Sequence, residues 1–260
     1  MGNEQSSINN IVKIGVVGLK KSGKSTLLNK LIGQDILSTN NETNNNILIK
    51  NSILENPELI SNNMILAQGK DNICSTLSNN NIDNILVLKM KLKSLDSNIQ
   101  FYDTLGLERQ KSHKGRIVMD IVRNCEVILY VLNFQDIIYE AVFTQYELLK
   151  KYKKTIYIIV THIDLFVNNE LFNSDMKIKN TVVQKFSDKG ISLNIDSIIL
   201  LNLLAENNDN FMLLVSIINN LKMELENIKL KKQLESVEYY QNDQIISGVV
   251  NIITSIAKNI

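Results

Sequence analysis

The eight residues from Gly18 to Ser25, with the sequence GLKKSGKS, constrain this chain more than any other segment. They match the pattern G-x-x-x-x-G-K-[ST], which binds nucleotide phosphates at a turn between a strand and a helix. The flanking sequence predicts that context. Ile11–Val17 is a short β-branched run typical of a buried strand, and Lys24–Ile32 carries leucines at helical spacing. We therefore predict a phosphate-binding loop here.

Each residue type in this loop has a physical role. Glycines let the backbone curl so that successive N–H groups face the phosphates, and the following helix adds its positive N-terminal end. Lys24 supplies charge to the β- and γ-phosphates, and Ser25 offers a hydroxyl to Mg²⁺. Without nucleotide, we expect Lys24 to be exposed. The predicted binding residues are Gly18, Leu19, Lys20, Lys21, Ser22, Gly23, Lys24, Ser25 and Thr26.

A second motif, DTLG at residues 103–106, directly follows the apolar segment Ile99–Tyr102. A carboxylate at the end of a strand can hold Mg²⁺ through water, and a glycine three residues later can present its N–H to a γ-phosphate. After a phosphate-binding loop, this pattern is a strong indication. It makes Asp103 a predicted metal ligand and Gly106 a predicted nucleotide contact.

A third motif, THID at residues 161–164, directly follows the segment Thr155–Val160. Asp164 can accept two hydrogen bonds from the N1–H and amino edge of guanine, which adenine cannot offer. His162 would cover the plane of the base, and Thr161 belongs to the same predicted site. The alternative is that Asp164 only caps the next helix.

Strand-like and helix-like segments alternate along the chain, which predicts an α/β fold with a mostly parallel sheet and helices on both faces. We expect a Ser94–Asn98 turn to join two neighbouring strands as a hairpin, and Glu55–Asn84 to be an insertion with one short helix. The asparagine pair Asn62–Asn63 indicates polar loop. The predicted strands are Ile11–Val17, Ile47–Leu54, Ile85–Lys93, Ile99–Tyr102, Val127–Leu132, Thr155–Val160 and Ser197–Asn202; the predicted helices are Lys24–Ile32, Lys111–Arg123, Ile137–Tyr152, Ser174–Phe186 and Asn210–Glu238.

Length and composition set the domain organisation and exclude several classes of partner. The 260 residues suit a flexible segment at 1–10, one α/β domain at 11–209 and a helical extension at 210–260. A formal net charge of +1 provides no basic field for a nucleic-acid backbone, so we predict no nucleic-acid partner. Cys74 and Cys125 are the two cysteines, which suits a reducing cytoplasmic compartment. The sequence contains no run of about 18 uncharged apolar residues, the length needed to span a bilayer.

With these motifs placed, residues 18–164 resemble the G domains of translation-factor-class GTPases. The segment KSTLLNKLIG at 24–33 is similar to dynamin-like and Era-like GTPases, and DIL at 35–37 matches the start of a dynamin-like loop. The THID motif is similar to that of immunity-associated and chloroplast import-receptor GTPases. The resemblance implies a Ras-like P-loop fold with a C-terminal helical tail, GTP and GDP as ligands, Mg²⁺ as cofactor, and GTP hydrolysis.

The resemblance leaves some residues of the reaction open. The switch threonine expected to reach Mg²⁺ is Thr39 or Thr43, and we prefer Thr43 because it has polar loop on both sides and precedes a strand. Leu107 stands where Ras-like enzymes carry a water-orienting glutamine. A nucleotide-binding module without turnover is therefore an alternative, and an ATPase is a less favoured one.

A residue of the chain is expected to supply positive charge near the phosphates for hydrolysis. We hypothesise that the Lys21 ammonium takes the place of the monovalent cation that similar GTPases hold; the alternative is that Lys21 points into solvent. Arg109 and Lys111 are other candidate sources of this charge. The sequence NLLA at 202–205 is a poor match to the Ser-Ala-x loop that supports the base in such domains.

Both ends of the sequence carry membrane signals. Residues 1–6, MGNEQS, fit the pattern for N-myristoylation at Gly2, although one myristoyl chain binds a bilayer only marginally. Ile245–Ile260 has an apolar stripe at helical spacing, which either lies in a lipid interface or packs on protein. We predict a switch or assembling GTPase on the cytosolic face of a membrane, with homodimerisation through the G domain as a further expectation.

Overall fold

The computed structural model describes residues 11–39, 45–79, 84–106, 113–166, 172, 174–205, 209–221, 223–225 and 227. The chain divides into a compact unit, Met1–Asn219, and a second unit, Asn220–Ile260. In the second unit, the described residues 220, 221, 223–225 and 227 are helical. Within the described part of the chain, no helix is both long and apolar enough to cross a bilayer.

Among its described residues, the first unit is organised by a nine-stranded sheet. The strand order is β4-β3-β5-β2-β6-β1-β7-β8-β9, and five of the eight neighbouring pairs run parallel. The mostly parallel α/β fold predicted from the sequence is confirmed. The strands are β1 Val12–Gly18, β2 Ile47–Asn51, β3 Glu58–Ser61, β4 Met64–Gln68, β5 Leu86–Met90, β6 Ile99–Asp103, β7 Val127–Asn133, β8 Thr155–Thr161 and β9 Ile198–Leu200.

The helices fall close to their predicted positions. Gly33 ends the first helix, because at φ 74° it adopts the left-handed conformation that suits a helix C-terminus. Three short 3₁₀ turns, at Phe134–Ile138, Ile163–Phe166 and Ile195–Ser197, follow or precede strands. The helices are α1 Lys24–Ile32, α2 Lys70–Asn79, α3 His113–Asn124, α4 Glu140–Lys150 and α5 Asp175–Ser187, and residues 209–219 are also helical.

The core lies around β7 and β8, where apolar strands meet α3, α4 and α5. Six consecutive residues of β7 are buried, as expected for a strand covered on both faces. Phe186 of α5 packs edge-on against Phe143 and Tyr146 of α4, with ring centroids 5.0 and 5.2 Å apart. This packing fixes the central strands, whose C-terminal ends carry the predicted site.

The predicted hairpin between the segments Ile85–Lys93 and Ile99–Tyr102 is wrong. The strand β5 does not pair with β6, because β2 lies between them. β2 pairs parallel with β5 from Ile47↔Leu86 and antiparallel with β6 from Ile47↔Asp103. The reversal of direction between β5 and β6 was predicted correctly, but a short connection cannot show that another strand intervenes.

The described part of the predicted insertion, residues 55–79 and 84, contains more secondary structure than the sequence indicates. It contains the hairpin β3–β4 and the helix α2, of which only the helix was predicted. Asn62 and Asn63 form its two-residue turn with φ values of 49° and 65°. Two positive φ angles are what a tight hairpin turn requires, and asparagine accepts them more readily than most residues.

The helical residues 209–219 pack on the same unit. The amide of Asn219 accepts a hydrogen bond from the backbone N–H of Asp96 at 3.2 Å and donates to the carbonyl of Ser94 at 3.1 Å. Asn210 donates to the Asp175 carboxylate at 3.0 Å. The predicted helix start near Asn210 agrees with this structure, whereas its predicted continuation to Glu238 extends beyond the described residues.

Asn29, a buried residue of α1, fixes the segment that follows the helix. Its amide donates to the carbonyl of Leu37 at 2.8 Å and accepts from the N–H groups of Ile36 and Leu37 at 3.2 and 2.9 Å. One side chain therefore satisfies three backbone groups of this connection, which a sequence pattern does not reveal.

We predict that Asn29→Ala lowers the free energy of unfolding by about 2–3 kcal/mol, because it leaves these buried backbone groups unpaired. Urea denaturation measures the change. Asn124→Ala is a matched control, since Asn124 is exposed and its side-chain amide donates to the Asp120 carbonyl; it should change stability by less than about 0.5 kcal/mol. Equal effects of the two substitutions would contradict the proposed role of Asn29.

Candidate nucleotide-binding site

The loop between β1 and α1 has the close approaches that its glycines predict. A Cβ atom at Gly18 would lie 2.1 Å from the carbonyl oxygen of Val131 in β7, so no larger residue fits there without a shift of the backbone. Gly23 is the N-cap of α1 at φ 92°, and Lys21 also has a positive φ of 59°. The curled backbone leads directly into the N-terminus of α1, where a phosphate would be stabilised.

Lys24 is buried, contrary to the expectation that it is exposed without ligand. Its side chain is 6% exposed, and its ammonium donates to the carbonyls of Leu19 at 2.7 Å and Gly18 at 3.3 Å. The carbonyls of the loop therefore hold the Lys24 ammonium within the curled backbone. This arrangement keeps a positive charge where the phosphates are predicted to bind.

Asp103, the last residue of β6, lies beside Ser25 in the first turn of α1. The hydroxyl of Ser25 donates to Oδ2 of Asp103 at 3.0 Å. Asp103 is fully buried, and its Oδ1 is buried without a hydrogen-bond partner. Burial raises the pKa of Asp103 to about 6, although the Lys24 charge and hydrogen bonds from Ser25 and the Thr104 backbone act to lower it.

These residues fit a Mg²⁺ ion. An orphaned carboxylate oxygen beside a hydroxyl is the oxygen donor set that Mg²⁺ prefers, and Mg²⁺ commonly uses one or two protein oxygens plus phosphates and waters. Among the described residues, no cluster of three His, Cys, Asp or Glu side chains could hold a metal alone. The further ligands of an ion at this site would be phosphate oxygens and waters.

The residues after Asp103 are tied to two strands. Thr104 donates from its hydroxyl to the carbonyl of Val16 at 2.8 Å, and the N–H of Leu105 donates to Oδ1 of Asn46 at 3.1 Å. These bonds fix the chain as it approaches the predicted contact Gly106. Sequence analysis missed Asn46; its only signal was its position in a polar run just before a strand.

The candidate switch and charge residues are only partly described. Thr39 is exposed, and Lys20 and Lys21 are exposed on the loop. Thr26, Leu19 and Gly106 are half-buried, and their roles in nucleotide binding stay predictions. The predictions for Thr43, Leu107, Arg109 and Lys111 lie outside the described residues, as do those for Gly2 and Ile245–Ile260.

The THID motif begins at the last residue of β8 and borders the candidate site. Thr161 is buried, and its hydroxyl donates to the carbonyl of Ser22 at 2.8 Å, so this residue holds the phosphate-binding loop. His162 is half-buried with a positive φ of 57°. Asp164 lies inside the 3₁₀ turn Ile163–Phe166, whereas Ser174 is the N-cap of α5. Asp164 is therefore not the cap of that helix.

An aromatic cluster anchors the turn that carries Asp164. Phe134, at the end of β7, contacts Phe166 and Phe172 edge-on, with ring centroids 5.0 and 5.1 Å apart. Phe166 and Phe172 are themselves 5.6 Å apart. Edge-to-face contacts of this kind restrict how the rings can move. The turn is thereby fixed at the edge of the sheet, next to the phosphate-binding loop.

The fold and these motifs define a P-loop nucleotide-binding domain of the Ras-like type. A family model described as the dynamin family matches residues 14–164, which is more than half of the chain. The chain belongs to the dynamin family, whose G domain is a P-loop GTPase domain. No curated protein sequence matches it.

Solved structures of bacterial dynamins give a similar result at the level of the fold. Two describe an oligomerised bacterial dynamin pair that provides a mechanism for long-range sensing and tethering of membranes. One has a TM-score of 0.58 at 16% identity and covers 92% of this chain; the other has a TM-score of 0.55 at 15% identity and covers 93%. This chain spans 44% of each of those chains. A structure of Era with MgGDPNP and 16S ribosomal RNA has a TM-score of 0.46 at 16% identity, covering 80% of this chain and 56% of Era.

We predict that Asp103→Asn removes the dependence of nucleotide affinity on Mg²⁺. The amide keeps the shape and can still accept from Ser25, but it lacks the negative charge that holds the ion. Without ligand, the variant should unfold at the same temperature as the original protein or higher, because a neutral amide is easier to bury than a carboxylate. Titration of nucleotide with Mg²⁺ and with a chelator measures the effect. An undiminished response to Mg²⁺ would exclude Asp103 as a ligand.

Proposed function

We propose that this chain binds GTP with Mg²⁺ and hydrolyses it to GDP and phosphate. The observation that carries the proposal is the cluster of Lys24, Ser25 and Asp103, with one buried carboxylate oxygen left unpaired. The roles follow from the chemistry. Lys24 and the loop N–H groups would bind the β- and γ-phosphates, Ser25 and Asp103 would hold Mg²⁺, and Gly106 would contact the γ-phosphate. Membership of the dynamin family supports guanine as the base.

Base recognition is proposed to come from the THID motif. Asp164 accepts two hydrogen bonds from guanine, and His162 lies over the base plane. The structure supports this by fixing the motif at both of its ends: Thr161 is bonded to the phosphate-binding loop, and Phe166 is packed in the aromatic cluster. An ATPase would need Asp164 to have no role in binding.

Hydrolysis transfers the γ-phosphoryl group to water and breaks the bond between the γ-phosphorus and the bridging oxygen. Positive charge near that oxygen and the γ-phosphate stabilises the transition state. Lys24 is one source, and we propose Lys21 as a second, with Thr43 as the switch residue. Leu107 cannot orient water as a glutamine does, so turnover by the isolated protein should be slow. Assembly through the G domain is a route by which turnover could rise.

The experiment is nucleotide specificity and turnover of the purified protein. We expect slow phosphate release from GTP, none from ATP, and none in Lys24→Ala, which loses the phosphate charge. Asp164→Asn should weaken GTP binding by about 2–5 kcal/mol and shift preference toward xanthosine triphosphate, whose C2 oxygen accepts from the new amide. Tight GTP binding without phosphate release would favour a non-hydrolysing module instead. Equal use of GTP and ATP by the original protein would contradict guanine recognition.

We further propose that the protein acts as a peripheral switch or assembling GTPase on the cytosolic face of a membrane. Gly2, within a myristoylation pattern, supports this, as does the apolar stripe at Ile245–Ile260. The fold also resembles bacterial dynamins described as sensing and tethering membranes. The absence of a nucleic-acid partner stays a prediction from the net charge of +1.

The lipid proposal has a direct test. The nine residues between Gly2 and β1 reach roughly 30–32 Å when extended, so the domain would sit close to the bilayer. Gly2→Ala removes the acceptor amine and should move the protein from membranes to the soluble fraction, with GTP affinity unchanged. Fractionation measures this, and deletion of Ile245–Ile260 tests the second anchor. A Gly2→Ala protein that stays equally membrane-bound would exclude lipid at Gly2 as the anchor.

A further inference from the structure

The ammonium of Lys30, in the last turn of α1, contacts two segments that are distant in sequence. It donates to the backbone carbonyl of Leu203 at 3.4 Å and to that of Ala205. It also lies 5.3 Å from the centroid of the Phe211 ring, in the helical segment 209–219. One charge on the helix that begins at the phosphate-binding loop thus holds the loop that follows β9.

Asn202 binds the same loop through the loop's backbone N–H groups. Its side-chain oxygen accepts from the N–H groups of Leu204 at 3.0 Å and Ala205 at 3.2 Å. Lys30 therefore binds the carbonyls of Leu203 and Ala205, and Asn202 binds the N–H groups of Leu204 and Ala205. Hydrogen bonds from a charged donor are stronger than those between neutral groups, so the lysine contributes more than a neutral amide would.

This loop lies beside the proposed nucleotide site. A Cβ atom placed on Gly23 would be 3.2 Å from Cδ1 of Leu203 and 3.5 Å from Cγ2 of Thr161. The side chains of Leu203 and Thr161 thus both approach the N-cap of α1. Thr161 is the first residue of the motif that contains Asp164, so the loop after β9 and the start of that motif both approach the N-terminus of α1.

We propose that Lys30 is a positioning residue for the nucleotide base. By fixing residues 203–205, Lys30 makes this loop a rigid surface for the base. A Ser-Ala-x sequence would form such a surface by itself, whereas the NLLA sequence does not predict one. This inference rests on the proposed GTP-binding function. A loop ordered before binding loses less conformational entropy when the base arrives, so the benefit is in affinity and base preference rather than in the chemical step.

The test compares binding of GDP, IDP and ADP to Lys30→Met, which keeps the apolar stem and removes the ammonium. We expect about tenfold weaker GDP binding, a smaller preference for GDP over IDP and ADP, and kcat for GTP within about twofold of the original. Lys30→Arg should restore binding, since a guanidinium can donate to both carbonyls. Lys151→Met, the same change at an exposed lysine after α4, should change nothing.

Asn202→Ala provides an independent test, because it releases the same loop without altering α1. It should shift GDP affinity and base preference in the same direction as Lys30→Met, and thermal unfolding verifies that each variant is folded. Absence of GDP binding by the original protein would refute the proposed function itself. If the original binds GDP and either folded variant binds it equally tightly with the same base preference, the function stands and the role of Lys30 is overturned.

Discussion

A carboxylate buried between the phosphate-binding loop and β6 is the interaction on which the rest of this structure depends. Asp103 has no exposed surface, and burial raises its pKa to about 6. A buried charge of this kind is costly unless charged or hydrogen-bonding partners surround it. Ser25 and the Lys24 charge are those partners here, yet one oxygen stays unpaired. The protein thus retains an incompletely satisfied acceptor at the position where the proposed cation would bind.

Strand order explains why residues so far apart in sequence meet there. β1 lies between β6 and β7 with all three strands parallel, and Val16 is in register with Asp103. Their carboxyl ends reach the same edge of the sheet, where ligands of open α/β folds bind. The neighbouring strand β8 adds Thr161, whose bond to Ser22 closes the phosphate-binding loop from the other side. The register of the central strands therefore assembles the site.

Much of this arrangement was predictable, because its signals are local. A glycine-rich turn between a β-branched run and a leucine-spaced helix specifies the loop and α1, and motifs at strand ends specify Asp103 and Thr161. The position of β2 between β5 and β6 was not predictable, since strand pairing is decided by contacts across many residues. The same holds for Lys24, whose burial follows from carbonyls that the folded loop turns toward it. The local sequence shows which residue types are present but does not reveal these long-range partners.

Asparagine shows how such long-range ties escape sequence patterns. With 36 asparagines in 260 residues, composition alone suggests only polar loops. In the structure, Asn29 holds the connection after α1, Asn46 holds Leu105 after Asp103, and Asn202 holds the loop after β9. A neutral amide can donate and accept at once, so it satisfies backbone groups without adding charge near the buried carboxylate. Three segments that border the proposed site are therefore fixed by asparagine, a residue type whose abundance in this chain conceals its role.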